Sequence, residues 1–322
     1  MPLLLTMMTV GAAAIPRHGK VAAGSSCTLP LTLAEGETCT LTWAELKPSL
    51  RPTQMAIGYA WALHKFAKFD SAESAQSEID DSPLPVAKGP NGDIFLLDHH
   101  HELAALDYSG YADTKATLVL ACDVSDMVPD AAWEYLVSRA FAYPYGRPAG
   151  SATTLPSHVE RSELPLELTF QKANQTMVDD PWRSLASFVR KVKGLASCPK
   201  GNKYCMRAYD RVCTPDHQGI PFFEFRWGFF FNDAAFQDTS LWQNATAKAR
   251  FDAAYPQIVG NVSDEDAWLS AAVELVYLAR GASAAAYAVP AELGAMGGPL
   301  PGVVTGLAPI PDEDPDCDAP MC

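Results

Sequence analysis

The chain has 322 residues, 48% of them apolar, a content typical of a folded protein rather than a disordered one. Its 38 acidic residues outnumber the 24 Lys and Arg, and the formal net charge of -14 makes strong non-specific binding to nucleic acid or to an anionic membrane unfavourable. No stretch of the sequence reaches the roughly 18 apolar residues that a membrane span requires.

The sequence begins with an apolar run, Pro2 to Ala14, that ends in three alanines. Such a run before small residues is typical of a signal peptide, which we predict over residues 1–18, although no Lys or Arg precedes it. A frayed apolar terminus would explain the same run, so both interpretations stay open. Residues 19–42 are rich in Gly, Ser and Thr and predict an N-terminal extension.

Two further patterns favour a secreted protein over a cytoplasmic one. Asn174, Asn244 and Asn261 each start an Asn-x-Ser/Thr glycosylation acceptor. The eight cysteines predict local disulfide loops, because they fall into groups: Cys27 with Cys39, the trio Cys198, Cys205 and Cys213, Cys317 with Cys322, and an isolated Cys122. The trio does not fit a zinc site, which usually begins with a pair about two to four residues apart. In a cytoplasmic protein all eight would be reduced.

The first folded domain is predicted over residues 43–142. Apolar residues within Met55 to Phe69 recur on one helical face, and Pro52 and Thr53 stand where that helix would begin. The other predicted elements are short strands at Leu84 to Ala87 and Ile94 to Leu97 around an Asn-Gly turn, a helix from Leu103, and a buried strand at Ala116 to Cys122.

A Pro-, Gly- and Ser-rich stretch, residues 143–156, predicts a linker to a mainly helical region over 157–293 that contains a cysteine-bearing insert. Residues 294–322 predict a solvated tail rich in Pro, Gly and acidic residues. Within the helical region we predict helices at Ser184 to Val192 and Asp264 to Leu278, and an aromatic core segment at Phe222 to Phe231. The predicted fold class is α+β.

The run Asp98, His99, His100, His101, Glu102 joins a predicted strand to a predicted helix. Backbone N–H groups at a helix N-terminus favour an anion, and histidines there add groups that exchange protons near neutral pH. We therefore predict His99, His100, His101 and Glu102 as catalytic groups, with Asp98 as helix cap and phosphate contact. Asp98 and His100 are also predicted ligands of a divalent metal ion. Alternatively, Asp98 only caps the helix and the histidines form a solvated first turn.

Five other cationic or polar side chains are candidate phosphate-binding residues. Arg51 and Gln54 precede the predicted first helix, Lys65 and Lys68 lie towards its end, and Arg183 begins a later helix. An anion could be clamped between them. The alternative is that these side chains are solvated or paired with acidic residues.

Several segments resemble the ParB/sulfiredoxin superfamily and, within it, the ParB-like nuclease branch. They are Arg51-Pro52-Thr53-Gln54 with Gly58, the segment IFLLDHHHELAAL from Ile94 to Leu106, Asp180 to Ala186, and Pro221 to Trp227. The resemblance implies a ParB/sulfiredoxin-like N-terminal domain in which the turn from Asp98 to His101 contacts nucleotide phosphates. This chain departs from the family pattern at Glu102, where relatives carry Arg. It also lacks a Cys in the turn and a basic helix-turn-helix, so sulfinic-acid reduction and chromosome partitioning are not expected.

Three functions remain open from the sequence. The first is a phosphate-ester hydrolase or phosphotransferase, a nuclease in the version that the resemblance implies, with a histidine as acid or base and a divalent metal ion as assistant. The second is a module that binds a nucleotide or phosphorylated small molecule without turnover. The third is an extracellular structural protein in which the site is vestigial.

Overall fold

The computed structural model describes residues 25–80, 83–147, 153–170, 177–192, 223–290 and 298–300. Its strands are β1 (Ser25–Ser26), β2 (Thr38–Thr42), β3 (Leu50–Pro52), β4 (Ala56–Ile57), β5 (Leu84–Lys88), β6 (Ile94–Leu96), β7 (Lys115–Asp123), β8 (Tyr145–Gly146), β9 (Ser157–His158), β10 (Val178–Asp179), β11 (Ala288–Val289) and β12 (Gly298–Pro299). Its α-helices are α1 (Trp43–Leu46), α2 (Tyr59–Phe66), α3 (Ala72–Asp80), α4 (His100–Ser109), α5 (Pro129–Ser138), α6 (Pro181–Lys191), α7 (Phe223–Asn232), α8 (Ala245–Ile258), α9 (Glu265–Ala279) and α10 (Ala282–Ala286). The predicted signal peptide, Asn174, the cysteine trio, Cys317, Cys322 and the tail beyond residue 300 lie outside the described residues.

A mixed sheet organises the N-terminal half, with the strand order β1-β2-β7-β5-β6-β3. The central strands β5 and β7 pair in parallel, and β5 pairs antiparallel with β6. The turn between β5 and β6 places Asn91 and Gly92 at positive φ, the conformation that an Asn-Gly pair favours. The predicted hairpin and the predicted buried strand, now β7, are both confirmed.

Residues 38–42 differ from the predicted N-terminal extension, because they form β2 and pair antiparallel with β7. Cys39 and Leu41 alternate into the core of the sheet, while the Thr residues between them are partly exposed. Cys27 and Cys39 form a disulfide with a Cα–Cα distance of 5.3 Å, a local loop of the kind that the grouping of the cysteines predicts. The single Cys122 is buried and reduced.

Helix α2 begins at Tyr59, later than the predicted start at Met55. Ala56 and Ile57 instead form β4, which pairs in parallel with β10, a segment far along the chain. A backbone whose N–H and C=O groups are engaged with another strand cannot also form helical hydrogen bonds. Pairing with β10 therefore displaces the start of the helix, and it also joins the sheet domain to α6.

The C-terminal half is helical, as predicted, and its core includes part of α2. Asp180 caps α6 and Asp264 caps α9, each through its side chain, and both predicted helices are confirmed. The aromatic run forms helix α7. The largest buried side chains of this core are Trp182, Trp227, Trp268, Phe188, Phe230, Phe231 and Phe251.

The predicted linker over 143–156 begins with a buried residue, Tyr143, whose N–H donates to the carbonyl of Thr53 at 2.8 Å. It continues into β8, which pairs with β9. Residues 143–147 therefore pack onto the folded domains. Within the described part of the chain, no helix combines the length and apolar character needed to cross a membrane.

Candidate functional site

The histidine run forms the turn between β6 and α4, as the sequence predicts. His99 is the N-cap residue of α4 and adopts a left-handed conformation, with φ 67° and ψ 22°. Its N–H donates to Asp98 Oδ1 at 2.7 Å. The Asp98 carboxylate therefore accepts a hydrogen bond from the next residue in the chain and not from an N–H group inside the helix, so it does not cap α4. The predicted capping role of Asp98 is therefore wrong. A non-glycine residue in this conformation is uncommon and recurs at functional sites.

His100 is buried and its ring faces the segment before α2. The N–H of Thr53 donates to His100 Nε2 at 3.2 Å, while the Thr53 hydroxyl donates to the carbonyl of Leu96 at 2.6 Å. An Nε2 atom that accepts an N–H carries no proton, so the ring is neutral. Burial, reinforced by the positive charge of Arg183, lowers the pKa of His100 to about 3.

His101 is held in a similar way one residue further on. The N–H of Gly58 donates to His101 Nε2 at 2.9 Å, and burial followed by the charge of Arg183 lowers the pKa of His101 well below its usual value. Gly58 also allows α6 to approach, because a Cβ at this position would lie 2.3 Å from Ser184 Oγ. His100 and His101, the two inner histidines, therefore act as neutral acceptors for backbone N–H groups. This differs from the acid–base role that the sequence predicts for them.

His99 and Glu102 contact each other at the start of α4. His99 Nδ1 lies 3.0 Å from Glu102 Oε2, and Lys65 Nζ lies 3.4 Å from Glu102 Oε1. Burial opposes the charged forms, but the bond to His99 and the charges of His99 and Lys65 outweigh it and lower the pKa of Glu102 to about 2. Burial likewise opposes protonation of His99, yet Asp98 and Glu102 raise the pKa of this imidazole. His99 is thus the histidine of the run that favours a proton.

Arg183 reaches the same turn from α6 and is 5% exposed. Its Nη1 donates to the carbonyl of Ala56 at 2.7 Å, and its guanidinium carbon lies 3.8 Å from the ring centre of Phe225. Arg183 Nε is buried and has no hydrogen-bond partner among the described residues. The same is true of Nε2 of Gln54, which is 5% exposed and adjoins the Thr53 that binds His100.

Two of the predicted phosphate-binding residues lie elsewhere. Arg51 pairs with Asp93 at 3.0 Å and donates to backbone carbonyls near its own strand. Lys68 pairs with Glu78 at 3.1 Å. The structure therefore gathers Lys65, Asp98 and Arg183 around the histidine turn and places Gln54 directly after Thr53, which contacts His100. It does not bring Arg51 or Lys68 to the turn.

Sequence reasoning missed Arg190, which lies on α6 two turns after Arg183. Its Nη2 atom is 2.7 Å from Glu224 Oε1, and its positive charge contributes to lowering the pKa of His101. The spacing of seven residues, which puts two side chains on one helix face, was the available signal. Glu224, on α7, had no such signal because no local pattern connects it to α6.

The residues present do not fit the predicted metal site. Across the described residues, no group of three or more His, Cys, Asp or Glu side chains is arranged to hold a metal ion. Nε2 of His100 already accepts the Thr53 N–H, so it is not available as a ligand beside Asp98. We therefore derive no chemical step through a metal ion.

Comparisons with known proteins agree with this architecture. A sequence model of the family described as "Putative ParB-like nuclease" matches residues 45–206, half of the chain, and the chain belongs to this family. The crystal structure of protein Atu1540 from Agrobacterium tumefaciens superposes with a TM-score of 0.52 at 21% identity, over 84% of this chain and 100% of the other. At that identity the likeness shows the fold alone. No curated protein matched significantly.

Proposed function

We propose that this protein is a phosphate-ester hydrolase that binds a phosphate group at the turn between β6 and α4. The proposal is carried by Arg183 Nε, a buried donor that has no acceptor among the described residues and belongs to a guanidinium whose charge acts on His100 and His101. Gln54 Nε2, on the residue after Thr53, is a second buried donor without an acceptor in the same part of the chain. A buried donor without an acceptor costs roughly 1–3 kcal/mol, so such groups call for a ligand or water. Phosphate oxygens are acceptors of the required kind, and guanidinium groups bind them well.

The charges around the turn support a singly charged ligand. Four cations near it, counting a protonated His99, face three carboxylates, so one formal positive charge is in surplus. A phosphodiester carries one negative charge, whereas a monoester or a triphosphate carries more and would be only partly compensated. The charged groups are Lys65 with Glu102, Arg183 and Arg190 with Glu224, and His99 with Asp98.

His99 is the proposed catalytic acid. In this reaction water attacks phosphorus, the bond between phosphorus and the leaving oxygen breaks, and that oxygen takes a proton from the His99 imidazolium. The proton lost by the attacking water then restores the imidazolium. Glu102 stabilises the protonated ring, as its 3.0 Å contact with His99 Nδ1 supports. His100 and His101 keep the turn in place through their backbone contacts.

A binding module without turnover is the second candidate. It is favoured by the engagement of two of the three histidines with backbone N–H groups, which leaves His99 as the one histidine of the run suited to proton transfer. In that case the ligand would be a nucleotide or another phosphorylated small molecule held by the same donors.

The test measures binding by calorimetry and hydrolysis by absorbance, with bis(4-nitrophenyl) phosphate as the diester and 4-nitrophenyl phosphate as the monoester. The wild type is expected to bind and cleave the diester in preference to the monoester. His99→Asn should bind the diester more weakly, because it removes one positive charge from the turn, and at saturation should lose about 10²–10⁴-fold of the hydrolysis rate. His158→Asn is the matched control, because His158 is exposed on β9. Binding without product in the wild type would favour the binding module, and no binding would contradict both.

We further propose that the protein is secreted. The disulfide between Cys27 and Cys39 supports an oxidising compartment, and the acceptor Asn261 is exposed in the turn between α8 and α9. Asn244 caps α8 through Oδ1, which leaves its side-chain nitrogen for modification. Mass spectrometry of the protein from its native host should find glycan at Asn261 and a cleaved N-terminus. An unmodified chain in the cell extract would contradict secretion.

A further inference from the structure

One carboxylate from α7 lies against both arginines of α6. Glu224 Oε1 is 2.7 Å from Arg190 Nη2, and Glu224 Oε2 is 3.8 Å from Arg183 Nη2. The Glu224 side chain is 16% exposed. A single carboxylate thus faces two guanidinium groups and compensates one of their two positive charges.

The two arginines differ in how firmly they are held. Arg183 is buried, donates to the carbonyl of Ala56, and covers the ring of Phe225. Arg190 has a side chain that is 34% exposed and contacts Glu224 through Nη2. An arginine that is exposed and held by one ion pair can change rotamer at low cost, since exposed pairs contribute little to stability.

We propose that Glu224 competes with the phosphate group of the ligand for Arg190. When a phosphate group binds beside Arg183, Arg190 leaves Glu224 and donates to the phosphate oxygens. This inference rests on the proposed function, because it concerns the same phosphate site. It adds Arg190 as a binding residue and Glu224 as a residue that opposes binding.

The competition predicts effects of opposite sign for two neighbouring variants. Glu224→Gln removes a negative charge beside the phosphate and should bind it about tenfold more tightly, since like charges at this range repel. Arg190→Ala removes a charged donor and should bind it about tenfold more weakly. If Glu224 served only to hold the arginines in place, Glu224→Gln would weaken binding instead.

The experiment is a calorimetric titration of the full chain with inorganic phosphate and with bis(4-nitrophenyl) phosphate at constant ionic strength. Lys191→Ala is the matched control for Arg190→Ala, because Lys191 is the next residue on α6 and pairs with Glu265 at 2.7 Å on α9. Melting temperatures are measured alongside. The expected signature is a Glu224→Gln variant that melts earlier and binds more tightly, with Lys191→Ala unchanged in affinity.

The outcomes separate this inference from the proposed function. If the wild type binds the probes but Arg190→Ala binds equally well, or a folded Glu224→Gln binds no more tightly, the inference is wrong and the proposed function stands. If the wild type binds neither probe, both are wrong. Should Glu224→Gln fail to fold, the comparison of Arg190→Ala with Lys191→Ala decides the matter.

Discussion

The imidazole of His101 accepts the backbone N–H of Gly58 at 2.9 Å, and this bond ties helix α4 to the first residue before α2. Two helices of the domain are thereby fixed relative to each other by a side chain that sequence patterns assigned to catalysis. The bond explains why this histidine has to be neutral, since its Nε2 atom is an acceptor.

Replacing His101 should affect stability through this bond. His101→Ala leaves the buried Gly58 N–H without an acceptor and opens a cavity, so we expect a loss of about 2–4 kcal/mol in the free energy of unfolding. His101→Gln can offer its amide oxygen at nearly the same position and should lose less than half as much. Urea unfolding measures both. Equal losses in the two variants would contradict the role of the acceptor.

The two inner histidines should make the protein sensitive to acid. Unfolded histidines take up protons below about pH 6.5, whereas folded His100 does so only near pH 3 and folded His101 well below its usual pKa. The unfolded state therefore binds more protons, and each histidine lowers stability by about 1.4 kcal/mol per pH unit as pH falls below that value. The double variant His100→Gln/His101→Gln should have a flatter pH dependence. Urea unfolding of both proteins between about pH 4.5 and 7.5 measures the difference.

His99 should affect the pH dependence of stability in the opposite direction: it stabilises the fold at low pH, and this stabilisation is lost as the pH rises. Its pKa is raised in the folded protein, so its contribution is fully present below about pH 6.5 and is lost as pH rises through the raised value. His99→Asn should remove this alkaline loss, and Asn tolerates the left-handed conformation at this position. NMR titration of the His99 ring checks the shift directly. A ring that titrates below its ordinary pKa would contradict it.

Asp179 provides a further pH test, near the N-terminus of α2. Its Oδ1 accepts the N–H of Tyr59 at 2.8 Å, while burial, with a smaller effect of Asp180, raises the pKa of Asp179 to about 7. A raised carboxyl pKa costs stability above about pH 4, and the full cost is reached above pH 7. Asp179→Asn keeps the acceptor and should be more stable by about 4 kcal/mol at pH 8, with almost no gain at pH 4. A gain independent of pH would point to another cause.

Lys65 and Lys68 offer a matched comparison for the site, because Lys65 lies in the last turn of α2, Lys68 follows the helix, and the two contact different partners. Lys65 contacts Glu102, whereas Lys68 contacts Glu78. Lys65→Ala should weaken binding of bis(4-nitrophenyl) phosphate about threefold to tenfold, since it removes a positive charge from the turn. Lys68→Ala should bind like the wild type. Calorimetry measures both affinities, and equal affinities would exclude Lys65 from the site.

Local patterns predicted those parts of the fold that depend on neighbouring residues. The hairpin followed from Asn91-Gly92, and the start of α9 followed from Asp264 before an apolar period. The start of α2 was missed because β4 pairs with β10, a contact between distant segments. Strand β2 was missed because Thr residues obscure the inward alternation of Cys39 and Leu41.

The sequence predicted where the candidate site lies in the chain, but it did not predict what each of its residues does. The histidine turn and Arg183 were predicted, yet which rings turn inward depends on Thr53 and Gly58 of another segment. Arg51 looked as suitable as Arg183, and only the position of Asp93 shows that it is engaged elsewhere. Glu224 comes close to Arg183 only through the packing of α6 on α7.

The pairing of β4 with β10 has a consequence for how this protein can be divided. The segment before α2 that holds His100 and His101 pairs with β10. Asp179 and Ser184 accept the N–H groups of Tyr59 and Trp61 in the first turn of α2. A fragment ending at residue 142 would keep every residue of the histidine turn and lose the strand, the caps and both α6 arginines. The histidine turn therefore depends on distant segments of the chain, and a fragment that folds independently with the turn intact has to extend at least through α6.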